Sequence, residues 1–186
     1  MFPFVALPVM RSNFTPVTNT RTVGTAAVET VPVGATSCTA RVVGGGGSGG
    51  HDSTNGGGGG GSGGYPSKTF AVIGGDTMTY TVGAGGAGVG DNLAGIAGAN
   101  STLSGTVSGG AISMTGGGGG AGGLAVAVGA GGTATGGATN TAGNPGNIFN
   151  GGASVYLAYG AGGNGSVLAP GISSPGGAGV VIFEYT

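Results

Sequence analysis

Charge is scarce in this chain. Its 186 residues carry four Lys or Arg and five Asp or Glu, for a formal net charge of −1. So few cations leave no basic stripe of the kind a phosphate backbone requires, which argues against nucleic-acid binding. They also leave no polybasic cluster for an anionic membrane surface. Disorder driven by like charges is excluded, because it needs high net charge and low hydrophobicity. The carboxylates are scattered and form no evident acid/base pair. Cysteine occurs once, at Cys38, so no intrachain disulfide can form. No apolar run of 18 or more residues exists, which argues against a transmembrane helix. Helix signals are nearly absent, since no 11-residue window combines helical periodicity with helix formers. With a mean hydropathy of +0.33, a chain this weakly charged is better suited to a packed oligomer or a large assembly than to a free flexible monomer.

What the chain has is glycine, 52 residues of it. The blocks are 44–50, 56–64, 83–90, 116–123, 129–137, 160–165 and 176–179. Each glycine in a regular element costs about 0.5–1 kcal/mol relative to alanine, so a chain that folds despite this must use close backbone approach as its architecture. Collagen is excluded, because glycine does not recur strictly at every third position and only eight prolines are present. A flexible linker is the plain alternative. The blocks, however, carry apolar residues such as Leu93, Ile96, Leu124, Val126 and Val128. A local spacing of three also recurs, as in Gly116/Gly119/Gly122 and Gly176/Gly179. Three residues per turn is the polyproline II repeat, and polyglycine in that form can hydrogen-bond laterally to its neighbours.

Strand signals are short and clear. Val28–Val31 precedes a turn at Pro32–Ala35, and Thr36–Val43 then alternates. Lys68–Ile73 and Thr77–Val82 flank Gly74-Gly75-Asp76 and read as a β-hairpin. Leu103–Val107 and Ala111–Thr115 read as another, around Ser108-Gly109-Gly110. Ser154–Tyr159 is a short strand candidate, and Val180–Tyr185 closes the chain as a strand rich in β-branched and aromatic residues. The expected fold is all-β: a small antiparallel β-sandwich or sheet with packed, polyglycine II-like segments.

Several motifs imitate chemistry. Gly83–Gly88 and Gly160–Gly165 match a dinucleotide fingerprint, but glycine this frequent produces it by chance, and no helix follows. Ser48 and Ser62 sit in nucleophile-elbow patterns without the strand–Ser–helix setting those need. His51-Asp52 is too small a cluster for zinc. The chain reads as a non-enzyme without a metal or cofactor.

The residues left for recognition are polar and aromatic ones between glycine blocks. Asn147, Phe149, Asn150, Tyr156 and Tyr159 are candidate receptor contacts, because tyrosine and asparagine loops suit sugars or protein loops. The plainer reading makes the aromatic residues core. The apolar start, with Phe2, Phe4 and Leu7, reads as a flexible start or, by preference, as an extended docking arm over residues 1–21. A glycine-rich β domain would then span 22–186. A remote alternative function is that of an ice-binding protein of the polyglycine II type, which needs a flat, regular face; Thr77, Thr79 and Thr81 form one short row, but no array repeats it.

The order of pieces resembles the glycine-rich domain of bacteriophage tail-fibre and virion structural proteins. The resemblance runs through Val28–Thr36, the strand Thr36–Val43, Gly44–Gly47, Gly56–Gly64, Lys68–Gly86 and Gly176–Tyr185. It implies a virion location and, as in T-even-like receptor-binding fibre tips, polyglycine II helices whose connecting loops meet the bacterial surface. The recognition loops would be Asp91–Val107 and Ala138–Tyr159. The partners it implies are further copies of the chain, as a homotrimer or another homo-oligomer, other virion proteins, and a host glycan or outer-membrane protein. A purely structural capsid or tail decoration without receptor binding is the alternative, with Met1–Thr20 as the arm.

Overall fold

The computed structural model describes residues 14–166 and 171–186. Among these, the strands in chain order are β1 (Val17–Arg21), β2 (Ala27–Thr30), β3 (Ser37–Val43), β4 (Tyr65–Ala71), β5 (Thr77–Thr81), β6 (Ser101–Val107), β7 (Gly110–Gly116), β8 (Ala134–Thr135), β9 (Thr139–Thr141) and β10 (Val180–Tyr185). They form two five-stranded antiparallel sheets, ordered β1-β10-β3-β4-β9 and β2-β5-β6-β7-β8, packed as an all-β sandwich.

Alternation builds this sandwich. On β3, Cys38, Ala40 and Val42 are buried while Ser37, Thr39 and Arg41 take the other face. Val181, Phe183 and Tyr185 of β10 join them, facing Met78 and Tyr80 of β5, Leu103 of β6, and Ile112 and Met114 of β7. Tyr80 meets Phe183 edge-on across the sheets, at 5.9 Å between ring centroids. Full burial of each large side chain contributes about 1.5–3 kcal/mol. Glu29 of β2 is buried between the sheet edges. It accepts hydrogen bonds from Asn19 Nδ2 (2.7 Å), Arg21 Nε (2.9 Å) and the Tyr185 hydroxyl (3.2 Å).

The structure departs from two expectations of the sequence. The segments flanking Gly74-Gly75-Asp76 do not form a hairpin. β4 pairs with β3 and β9 in one sheet, and β5 with β2 and β6 in the other. The intervening turn is tied to the end of β2, where the Val31 amide donates to the Asp76 carbonyl (2.8 Å) and the Gly75 amide to the Val31 carbonyl (3.0 Å). That tie carries the chain across the sandwich instead of back beside itself. Ser154–Tyr159 is a tight loop and not a strand. Leu157 takes a left-handed φ of 51°, and the Ser154 hydroxyl donates to the carbonyls of Tyr156 and Tyr159. The β6–β7 hairpin and the closing strand form as expected.

The glycine blocks are ordered and form a lattice. Gly44, Gly47 and Gly50 donate to the carbonyls of Gly64, Gly61 and Gly58. Gly45, Ser48 and His51 donate to Ala99, Ile96 and Leu93, and Gly46 and Gly49 to Gly177 and Ser174. Successive amides thus point to three neighbours in turn and return to the first every third residue. That is the three-fold polyproline II repeat, with its backbone groups satisfied sideways instead of by water. The carbonyls of 44–51 accept in the same way from three further segments, through Gly119 and Gly122, Gly86, and Gly163 and Ser166. Segment 44–51 therefore has six neighbours, and 56–64 is surrounded likewise. Around this central pair the described segments close a ring: 93–100, 116–124, 126–133, 143–147, 150–153, 160–166, 172–179 and 83–90, each bonded to the next.

Glycine is required at the centre because backbones touch there. A Cβ on Gly47 would lie 2.1 Å from the Gly120 carbonyl oxygen, and one on Gly60 2.2 Å from that of Gly47. Most lattice segments are direct continuations of strands, so bundle and sandwich share one hydrogen-bonded framework. Segment 44–51 follows β3, and 56–64 runs into β4.

Candidate functional site

The chain reverses at the end of the bundle away from the sandwich, and the reversals are cross-linked. After segment 44–51, Asp52 accepts from the amides of Thr54 (2.8 Å) and Asn55 (3.0 Å) through one carboxylate oxygen. Its other oxygen accepts from Ala125 (3.1 Å) in a second reversal. The side chain of Asn92, in a third, accepts from the Ser53 amide (3.2 Å) and hydroxyl (3.0 Å). The Asn55, Thr54 and Ala125 amides hold the Asp52 carboxyl below the usual carboxylate range. His51 is fully buried beneath this cluster, with Nδ1 3.3 Å from an Asp91 carboxylate oxygen.

These reversals concentrate unfavourable backbone. Asn92 (φ 55°), Ala125 (φ 47°), Val126 (φ 60°) and Phe149 (φ 70°) all adopt the left-handed region. Asparagine tolerates it, but for β-branched or bulky residues it is a true outlier, costing about 1–3 kcal/mol each. Glycine would relieve that cost. Leu93, Leu124, Ile148 and Phe149 stand exposed on the same reversals.

The sequence candidates divide between two places. Asn147, Phe149 and Asn150 occupy the reversal between segments 143–147 and 150–153, and all three are exposed. Tyr156 and Tyr159 lie at the junction of bundle and sandwich. Tyr156 stacks on Tyr65 at 4.8 Å and sits beneath the Arg41 guanidinium at 5.9 Å. Both tyrosines pack on Val43, Val180 and Ile182. Phe2, Phe4 and Leu7 lie outside the described residues. Of the expected arm over 1–21, residues 17–21 are β1, paired with β10.

The motifs that imitate chemistry serve the lattice. Ser48 and Ser62 are fully buried, and their hydroxyls accept the Ile96 and Asn144 amides, both at 2.8 Å. Both fingerprint-like runs, 83–88 and 160–165, are ring segments. The sequence reading missed Asp52 and Asn92 as organisers of the reversals. The available signal was their position directly between glycine blocks, where side chains that bond nearby amides favour turns.

A lattice of this kind, emerging from a sandwich, accounts for nearly the whole chain, and one family model spans it. A glycine-rich domain model matches residues 20–186. The chain belongs to this glycine-rich domain family. No curated protein matches it. The family match begins inside β1 and ends with the residue after β10, so it takes in both sheets and the whole lattice.

Proposed function

We propose that the protein is a non-enzymatic structural component of a bacteriophage virion and that its bundle end attaches to the host surface. One observation carries this reading. A chain with 52 glycines places Val126 and Phe149, instead of glycine, on left-handed backbone that strains them. Retaining those side chains at a backbone cost fits a role at the tips. The resemblance to tail-fibre and virion proteins supplies the setting, with assembly as a homo-oligomer and attachment to a glycan or an outer-membrane protein. The lattice gives such tips a rigid support, which limits the ordering cost of binding.

The test is binding of the purified protein to susceptible cells, with competition against infection. Saturable binding that protects cells, and that weakens in Phe149→Gly, is the expected result. Absence of binding by folded protein would sink the attachment role. The second reading, a capsid or tail decoration, draws on the packing of Tyr156 and Tyr159 at the junction, which leaves fewer aromatic residues for a receptor. Localising the protein in the particle would then decide between the two.

A further inference from the structure

The outer face of the sheet β2-β5-β6-β7-β8 carries aligned hydroxyl rows. Register places Thr81 opposite Thr102, Thr102 opposite Thr115, and Thr115 opposite Thr135. This makes a single rank of threonines four strands wide. A second rank runs Val28, Thr79, Ser104, Ser113. Thr30 and Thr77 pair beyond it. These side chains lie opposite the buried alternates Met78, Tyr80, Leu103, Ile112 and Met114, on the outward face: Thr79, Ser104, Ser113 and Thr135 are exposed, Thr81, Thr102 and Thr115 are half-buried, and the Thr81 hydroxyl accepts the Ala26 amide (3.0 Å).

The same face continues into the lattice. β6 is fed by 93–100, β7 runs into 116–124, and β8 is fed by 126–133. These three are consecutive in the ring. Here Ala94, Ala97 and Asn100 stand exposed three residues apart, as do Ala127, Ala130 and Thr133. The Asn100 side chain accepts the Gly118 amide (2.9 Å), bridging two segments on this side.

We propose that this face binds ice. Strands lie about 4.7–4.9 Å apart and same-face side chains recur about every 6.7 Å along them, so the hydroxyls form a two-dimensional grid, as the surface of a crystal does. Threonine is stiff at χ1, so its methyl and hydroxyl hold their positions without much ordering on contact. Beyond the sheet, the lattice fixes rows of small residues at a repeat of about 9.3 Å.

Charge also selects this face. An ice surface is uncharged, and any ion pressed against it loses solvation. Among the described residues no charged side chain stands on it. Arg41 and Glu184 pair on the outer face of the other sheet, and Glu29 is buried with Arg21 at an edge. Lys68 is on β4 of the opposite sheet, Asp76 in the turn at the sandwich end, and Asp52 and Asp91 at the bundle reversals. The sequence showed only the row Thr77, Thr79, Thr81. The cross-strand register supplies the array.

The test grows a single ice hemisphere in a solution of the fluorescently labelled full chain, with inhibition of ice recrystallisation as a second readout. The expected result is incorporation on defined planes, a recrystallisation-inhibiting concentration raised roughly ten-fold by Thr102→Lys or Thr115→Lys, and no change for Thr20→Lys on the opposite sheet. Should either lysine variant fail to fold by circular dichroism, Thr102→Val and Thr115→Val replace it, with the same loss expected. Exclusion of the folded wild-type protein from ice overturns the proposal. So does equal loss in Thr20→Lys, or adsorption to crystalline polysaccharide without adsorption to ice.

Discussion

The hydroxyl of Tyr185 donates to the carboxylate of Glu29 at 3.2 Å across 156 residues of chain, joining the last strand of one sheet to the first strand of the other. Arg21 and Asn19 on β1 close the same cluster. Removing one partner of a buried ion pair leaves the other uncompensated, at about 3–5 kcal/mol. Arg21→Ala, which strands a carboxylate that is 1% exposed, is therefore expected to cost about 3 kcal/mol in chemical denaturation. Glu29→Ala leaves the half-exposed guanidinium free to reach water, so its smaller expected cost comes from the cavity and the orphaned Tyr185 hydroxyl. A larger loss in Glu29→Ala than in Arg21→Ala would contradict this account.

The two kinds of glycine should separate under alanine substitution. Gly47→Ala forces a methyl to 2.1 Å from a backbone carbonyl at the centre of the bundle. The expected penalty is at least about 3 kcal/mol, since neither backbone can move without breaking lateral hydrogen bonds. Gly90 has nothing within 4 Å of an added Cβ. Gly90→Ala is expected to be neutral or to stabilise by up to about 0.5 kcal/mol through the unfolded chain. Thermal melts of the two variants make the comparison.

Strain at the reversals gives a prediction of opposite sign. Val126→Gly and Phe149→Gly remove bulky side chains from left-handed backbone, and each is expected to raise stability by about 1 kcal/mol. Under the attachment reading both weaken cell binding. Tyr156→Ala should do the reverse, costing about 1 kcal/mol or more through the lost stack on Tyr65 while leaving cell binding intact. Measuring melting and binding on the same three proteins tests both halves.

Acid sensitivity should trace to two turns. The amides of Asn55, Thr54 and Ala125 lower the carboxyl of Asp52, and those of Ser108 and Ile73 lower that of Asp76. A carboxyl lowered in the folded state stabilises it above the ordinary value of 3.8, and that contribution disappears as pH falls through the lower folded value. Stability should hold near-constant from neutrality to about pH 5 and then fall. Asp52→Asn is expected to flatten the fall, as read from denaturation midpoints across pH.

At the alkaline end the sign reverses. Burial pushes the Cys38 thiol from 9.0 up to about 12 and raises the Tyr185 phenol as well. Groups raised by folding stabilise it below their unfolded values, and that support is lost as pH climbs beyond them. Cys38 is therefore expected to resist thiol reagents at pH 8 until denaturant is added, and stability should decline above about pH 9.

Much of the sandwich was legible because alternation is a local signal. Thr36–Val43 shows it within a few residues, Val180–Tyr185 is marked instead by its β-branched and aromatic residues, and the structure returns β3 and β10 at those places within one residue. The three-residue glycine spacing likewise announced the lattice repeat. Partnering was not legible. Whether β5 returns beside β4 or crosses to the other sheet depends on Val31, more than 40 residues upstream. β1, β8 and β9 were missed because they are held by neighbours more than by their own composition, as in the Thr139–Thr141 pairing with β4. At the candidate site, the glycine blocks pointed to the segments between them, but nothing local distinguished Tyr156, folded back on the junction, from Phe149, held out at a reversal.

The closed ring of eight segments around two also sets a rule of growth. A turn of this helix is three residues and about 9.3 Å. A connecting loop such as 52–55 can therefore be raised by one turn with three residues added to each arm, and every existing sideways bond keeps its mate. Additions of one or two residues would rotate each later amide toward the wrong neighbour. Insertions and deletions at these loops should thus be tolerated in multiples of three per arm, so that reach is adjustable in discrete steps while the frame beneath stays unchanged.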